Sequence, residues 1–116
     1  MNDRELMESA ARAAGIEVWR GNRYQDEMLF RPASSGDGKF GGIEWNPLTD
    51  DADALRLAVK LKLDVFTGQG MRGDITTVCA PPEHDIESCG ERHGDDPFAA
   101  TRRAIVRAAA EIGKKD

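Results

Sequence analysis

Four side chains with metal-binding chemistry fall within fifteen residues of one another: Cys79, His84, Cys89 and His93. Thiolate and imidazole in tetrahedral array are what zinc takes. The spacing is Cys-x4-His-x4-Cys-x3-His, and its first three members match the last three ligands of a Cys-x2-Cys-x4-His-x4-Cys knuckle. Departures from that pattern weigh against it. The leading cysteine would stand where Thr76 is, Glu83 replaces the glycine expected before the histidine, and His93 would have to complete the set from an unusual place. The plainer reading makes Cys79 a small hydrophobe in a hairpin and the other three loop residues. Cysteine nucleophilic catalysis is not expected. His84 and His93 flank Cys89 only along the chain, and the carboxylates around it raise a thiol pKa instead of lowering it. A Cys79–Cys89 disulfide is disfavoured in the reducing compartment expected for a chain whose first twenty residues carry no basic flank followed by an apolar stretch.

Two charged surfaces are the other candidates. Glu83, Asp85, Glu87 and Glu91, followed by Asp95 and Asp96, form an acidic stretch diluted only by Arg92. Such a stretch can copy the charge of a nucleic acid or dock on a basic protein, although charge runs are more often solvated loops. Arg102, Arg103 and Arg107, with Lys114 and Lys115 beyond them, give the last helix a positive side that could face nucleic acid. The same arginines can instead pair with the chain's own carboxylates. Asp50, Asp51 and Asp53 do not make a calcium loop. Counted from Asp51, the sixth position is Arg56 and the twelfth Lys62, where a glycine and a glutamate are needed. Helix capping accounts for all three. Gly36-Asp37-Gly38 and Gly68-Gln69-Gly70 lack the lysine and the strand–loop–helix setting of phosphate loops and read as turns.

The elements that position these residues can be read from periodicity. The spacing predicts a helix from Asn2 to Ile16, with Leu6, Ala10, Ala13 and Ala14 on one face, small enough to lie close to a sheet, and Gly15 ending it. Ile16 to Trp45 reads as a meander with a flexible tip near Ser34–Gly38, in which Trp19 and Tyr24 flank a turn. A second helix follows the Asn46–Asp51 turn, with Thr49, Asp50 or Asp51 as its cap. Ala54 to Leu61 is apolar over more than half its circumference, which predicts burial on a broad face. Leu63–Phe66 and Asp74–Ala80 read as a hairpin, and Pro81–Gly94 as irregular. The last helix opens at Asp95 or Asp96 with Pro97 in the first turn, carries Phe98, Ile105, Ala108, Ala109 and Ile112 as one stripe, and stops at Gly113. Trp45, Phe66 and Phe98 are expected in the core.

These elements make an α+β domain over residues 1–116, with helix–sheet–helix layers: about three helices on a small, mainly antiparallel sheet of four or five strands. At 116 residues and 40% hydrophobic content, one core is within reach. The net charge of −5 argues against general affinity for phosphate backbones, and no apolar run approaches a membrane span.

Three stretches carry a resemblance: Asp3-Arg4-Glu5-Leu6 running to Gly15-Ile16; Trp45-Asn46-Pro47-Leu48-Thr49-Asp50-Asp51 and on through Leu61; and Asp96-Pro97-Phe98 through Ile112-Gly113. Together they resemble a family of small proteins of tailed bacteriophages and prophages, the phage ABA sandwich domain. The likeness covers about half the residues and spans the chain. It implies helix–sheet–helix layering and expression in the cytoplasm of an infected bacterium, and it brings no activity or catalytic residue to carry over. The expected function is that of a phage or prophage accessory protein that binds a host or phage macromolecule and does not catalyse, with no cofactor and no membrane partner. The alternatives are a zinc-stabilised module using Cys79–His93 and a nucleic-acid-associated protein using the basic last helix.

Overall fold

Asn2 starts the first helix by accepting a hydrogen bond from the Glu5 N–H at 2.8 Å, leaving Asp3 and Glu5 on the positive end of the dipole. In the computed structural model, which describes residues 2–21, 28–32 and 42–115, this helix is α1, Asp3–Ala14. Gly15 ends it at φ 68°, and the Ile16 N–H turns back to the Ala11 carbonyl at 2.9 Å. Strands β1 (Trp19–Arg20), β2 (Leu29–Arg31) and β3 (Ile43–Trp45) then form an antiparallel sheet, with Leu29 opposite Trp45 and both buried. The predicted tip at Ser34–Gly38, Tyr24 and Phe40 lie outside the described residues.

Asp50 caps α2 (Asp51–Lys60) by accepting from the Ala52 N–H at 2.8 Å. Strand β4 (Asp64–Gly70) turns through Met71-Arg72 into β5 (Gly73–Cys79), and a 3-10 turn at Pro82–His84 leads to β6 (Cys89–Arg92). The second sheet has the order β4-β5-β6, antiparallel throughout. Asp96 caps α3 (Pro97–Lys115) by accepting from the Ala99 N–H. α3 is the centre of the molecule: α1 lies along it, and α2, β5 and β6 pack against it. The core joins Met7, Leu29, Trp45, Leu57, Val78, Val106 and Ile112 to alanines of all three helices.

The α+β class holds, but the single sheet of four or five strands does not. Among the described residues there are two separate three-stranded sheets. After β3 the chain turns at Asn46–Thr49 into α2, so the meander and the later hairpin pair only within themselves. Cys89–Arg92, expected to be irregular, is a strand because it satisfies the second edge of β5. Gly113 does not stop α3, which continues to Lys115. It is instead the point where α3 meets α1: a Cβ placed on Gly113 would lie 1.9 Å from the Ser9 carbonyl oxygen. The alanines of α1 therefore serve helix–helix contact more than contact with a sheet. Trp45 is in the core, whereas Phe66 and Phe98 are exposed. Among the described residues, no helix is long and apolar enough to cross a membrane.

Candidate functional site

The strand register decides the fate of the four metal-binding candidates. Val78 pairs with Cys89, so Cys89 projects on the same side of the sheet as Val78, toward α3. Cys79, one residue on, projects from the opposite side. Both are free thiols. His93, just after β6, places Nε2 2.8 Å from Thr76 Oγ1, which is 2.7 Å from Thr101 Oγ1. Thr101 donates its hydroxyl proton to the Pro97 carbonyl at 2.8 Å. Thr76 must then donate to Thr101, which leaves His93 Nε2–H as the donor to Thr76. Thr76 thus latches the second sheet to α3, with His93 as its donor. His84 lies in the 3-10 turn. Among the described residues no three metal-binding side chains come together, and the geometry does not draw Cys79, His84, Cys89 and His93 around a common point.

Burial pushes the Cys89 thiol above its ordinary pKa. Arg107 draws it down, while the carboxylates of Glu111 and Glu91 and the Cys79 thiol raise it. Desolvation prevails, and Cys89 behaves as a neutral, small, buried side chain.

The basic candidates are engaged within the chain, and one pair, Glu91 with Arg107, joins the acidic stretch to the basic helix face. Glu83, Asp85 and Glu87 are exposed, and Glu91 on β6 pairs with Arg107. Arg107 also donates to the Gly90 carbonyl at 3.1 Å. Arg103 donates to the Asp3 carboxylate at 3.2 Å, and Arg102 donates to the Leu48 carbonyl at 2.8 Å and to Asp51 at 2.6 Å. Lys115 donates to the carbonyls of His84 and Asp85. The arginines of α3 therefore tie β6, the start of α1 and the start of α2 to one helix. The acidic stretch and the basic helix face are partly each other's partners.

A different surface stands out, one that the spacing of the motifs did not indicate. α2 buries Ala54, Leu57 and Ala58 on its inner side, yet Leu55 and Val59, one turn apart on its outer side, are 62% and 69% exposed. They form a ridge between two depressions. On one side is a cleft of about 650 Å³ between α2 and the first sheet, with Ile16, Trp45, Leu55 and Val59 as apolar lining and Arg31, Arg56 and Lys60 around it. Among the described lining residues the one acidic member, Asp53, is buried, accepts from the Asn46 N–H at 3.0 Å and pairs with Arg56 at 3.5 Å. On the other side, Ala58, Val65, Phe98 and Ile105 line a groove of about 390 Å³ beside Leu55. Phe98 is 68% exposed at its rim. Isolated exposed hydrophobes are ordinary, but a contiguous group with a polar rim marks a contact surface. The signal was already in the sequence, since a helix apolar over more than half its girth needs something on both sides.

Compared with known proteins, the chain matches no family model, no curated protein and no solved structure.

Proposed function

We propose that this protein works by binding another protein, and that the α2 ridge with its two flanking depressions is where it binds. The observation that carries the reading is the outward placement of Leu55, Val59 and Phe98 around apolar depressions, on a helix whose inner side is already buried. Covering one such side chain contributes roughly 1.5–3 kcal/mol before the losses of association are subtracted. Three of them give about 4.5–9 kcal/mol before those losses, less than the roughly 8.2 kcal/mol of a micromolar complex once they are subtracted, so the partner's charges must supply the rest. The cations around the larger cleft set the partner's chemistry. A helix or extended segment with apolar anchors three or four residues apart and flanking carboxylates fits Leu55 and Val59 against its anchors, and Arg56 and Lys60 against its charges. Binding in place of catalysis is part of this proposal. So is the setting, a tailed-phage or prophage accessory protein acting on a host or phage protein in the bacterial cytoplasm, which rests on the three resembling stretches alone. Nucleic acid is the weaker partner, because Arg102, Arg103 and Arg107 already hold Asp51, Asp3 and Glu91.

The test is affinity capture from infected-cell lysate with nuclease present, run in parallel with wild type and with Leu55→Glu/Val59→Glu. The double variant keeps its fold, since both side chains face outward, and its melting stays within about 0.5 kcal/mol of wild type for each substitution. A stoichiometric protein captured by wild type and lost with the folded double variant supports the reading. Capture that is indifferent to the two glutamates refutes it.

A further inference from the structure

We infer that the partner met by the α2 ridge is a second copy of this chain, whose own α2 crosses the ridge antiparallel about a two-fold axis. The inference rests on the proposed reading of the ridge and names what covers it. The partner's segment needs apolar anchors three or four residues apart with carboxylates beside them, and α2 carries that pattern itself. Leu55 and Val59 are the anchors, four residues apart, and Asp51 stands one turn before Leu55. Ala52 is exposed on the same side, three residues before Leu55 and seven before Val59, and is small enough to let a second helix approach closely.

The charges along the ridge select the orientation. Where α2 begins the surface is acidic, with Glu44, Asp50 and Asp51 around one depression, all three exposed. Asp51 keeps its side chain 73% exposed even while it accepts from Arg102. Where α2 ends the surface is basic, with Arg56, Lys60 and Lys62 exposed. A two-fold axis along the helices would lay acid on acid and base on base. An axis across them lays the start of each helix beside the end of the other, so that acid meets base at both ends and Leu55 of one copy lies beside Val59 of the other. The patch is therefore complementary to itself, which a ridge with a uniformly basic rim would not be. Because a two-fold interface uses one patch twice, each apolar side chain of the ridge is covered once on each copy, which a partner offering charges alone cannot match. Ten residues at about 1.5 Å each make α2 roughly 15 Å long, and with its flanking depressions the patch covers on the order of 400 Å² of each copy. A standard stable interface takes roughly 800 Å² per partner, so the dimer is weak, with a Kd on the order of 100 μM, and dissociates on dilution.

Sedimentation equilibrium from about 10 to 1000 μM reads the mass directly, starting from the 12.7 kDa chain. The expected result is a rise toward twice that mass across this range, abolished by Leu55→Glu/Val59→Glu. Lys60→Glu/Lys62→Glu sets acid against acid across the axis, and Glu44→Lys/Asp51→Lys sets base against base. Each pair of substitutions alone weakens association by about tenfold or more, and the two variants mixed in equal amounts recover it as a heterodimer. Circular dichroism identifies any variant that has failed to fold. A chain that stays at 12.7 kDa throughout overturns the inference. So does association that survives Leu55→Glu/Val59→Glu in folded protein, and so does a mixture of the two charge-reversed variants that is no tighter than either alone. A monomeric chain that captures a different protein from the lysate, and loses it with Leu55→Glu/Val59→Glu, keeps the ridge reading while overturning the second copy. Capture indifferent to those glutamates refutes the ridge reading itself.

Discussion

Replacing Gly113 with alanine sets two physical effects against each other with opposite signs. Inside a helix, alanine is better than glycine by about 1 kcal/mol, and Gly113 lies inside α3, two residues before its end. By propensity alone the variant should be more stable. The seam between α1 and α3 says otherwise: the added Cβ would sit 1.9 Å from the Ser9 carbonyl oxygen, 2.8 Å from its carbon and 3.3 Å from its Cα. An ordinary carbon–oxygen contact is about 3.3–3.6 Å, so α1 and α3 must separate locally by about 1.5 Å. The obstacle is main chain, which cannot swing aside as a side chain can. A gap of even 0.5–1 Å forfeits roughly a quarter to a half of each dispersion contact it opens, and Ala10, Ala11, Ala14, Ala104, Ala108 and Ala109 belong to the same fully packed core. Overpacking of this kind costs about 3 kcal/mol at the upper end of its usual range. The net loss is then about 2 kcal/mol, or a melting temperature lower by about 8 °C for a chain of this size. Thermal and urea unfolding followed by circular dichroism measure it. Gly113→Ala melting at or above wild type would refute the contact, since propensity would then be acting alone.

Two further outcomes follow from the buried polar and thiol groups. Thr76→Val keeps the shape but strips Thr101 and His93 of their shared partner, and lowers stability by about 1–2 kcal/mol in urea melts. His93→Ala should cost less in that background than in wild type, because the latch has already been broken. For Cys89 the folded pKa is raised by burial, so the unfolded chain ionises first. Its contribution is intact below about pH 8.5, the ordinary thiol value, and declines as pH rises above it. The stability difference between wild type and Cys89→Ala should therefore shrink between pH 7 and pH 9.5. A difference that is flat in pH would contradict the burial.

How much of this could be read from the sequence depended on whether the cause was local. Asn2, Gly15, Asp50 and Asp96 act on main-chain groups within three or four residues of themselves; composition narrows each helix start to two or three adjacent residues, and the structure picks Asn2, Asp50 and Asp96 among them. Gly113 has the composition of a stop signal, but its role is set by Ser9, about a hundred residues away in the chain, and no local pattern encodes that. The same holds for β6. Glu91 and Arg92 look like solvated loop residues until β5 offers an unpaired edge and Arg107 a counter-charge. The division into two sheets was likewise invisible, because the meander and the hairpin look alike whether or not they join.

The candidate sites show the same division more sharply. Cys79, His84, Cys89 and His93 are close in sequence, but a strand alternates its side chains between two faces, and the Val78↔Cys89 pairing sends the two cysteines to opposite ones. Spacing along a chain constrains a metal site only when the intervening backbone is a tight turn, and here it runs through a strand, a 3-10 turn and another strand. The apolar ridge failed to register for the converse reason. Leu55, Val59 and Phe98 have the composition of core residues, and hydrophobic periodicity reports that a face is apolar without reporting what covers it. α2 is ten residues long and packs its inner side mainly on α3, with a smaller contact to α1, so its second apolar face is left exposed among the described residues. For α2 the excess of apolar girth over available partners is therefore the informative quantity. It can be counted from sequence once the number of packing elements is known, and it points outward to whatever this surface was built to meet.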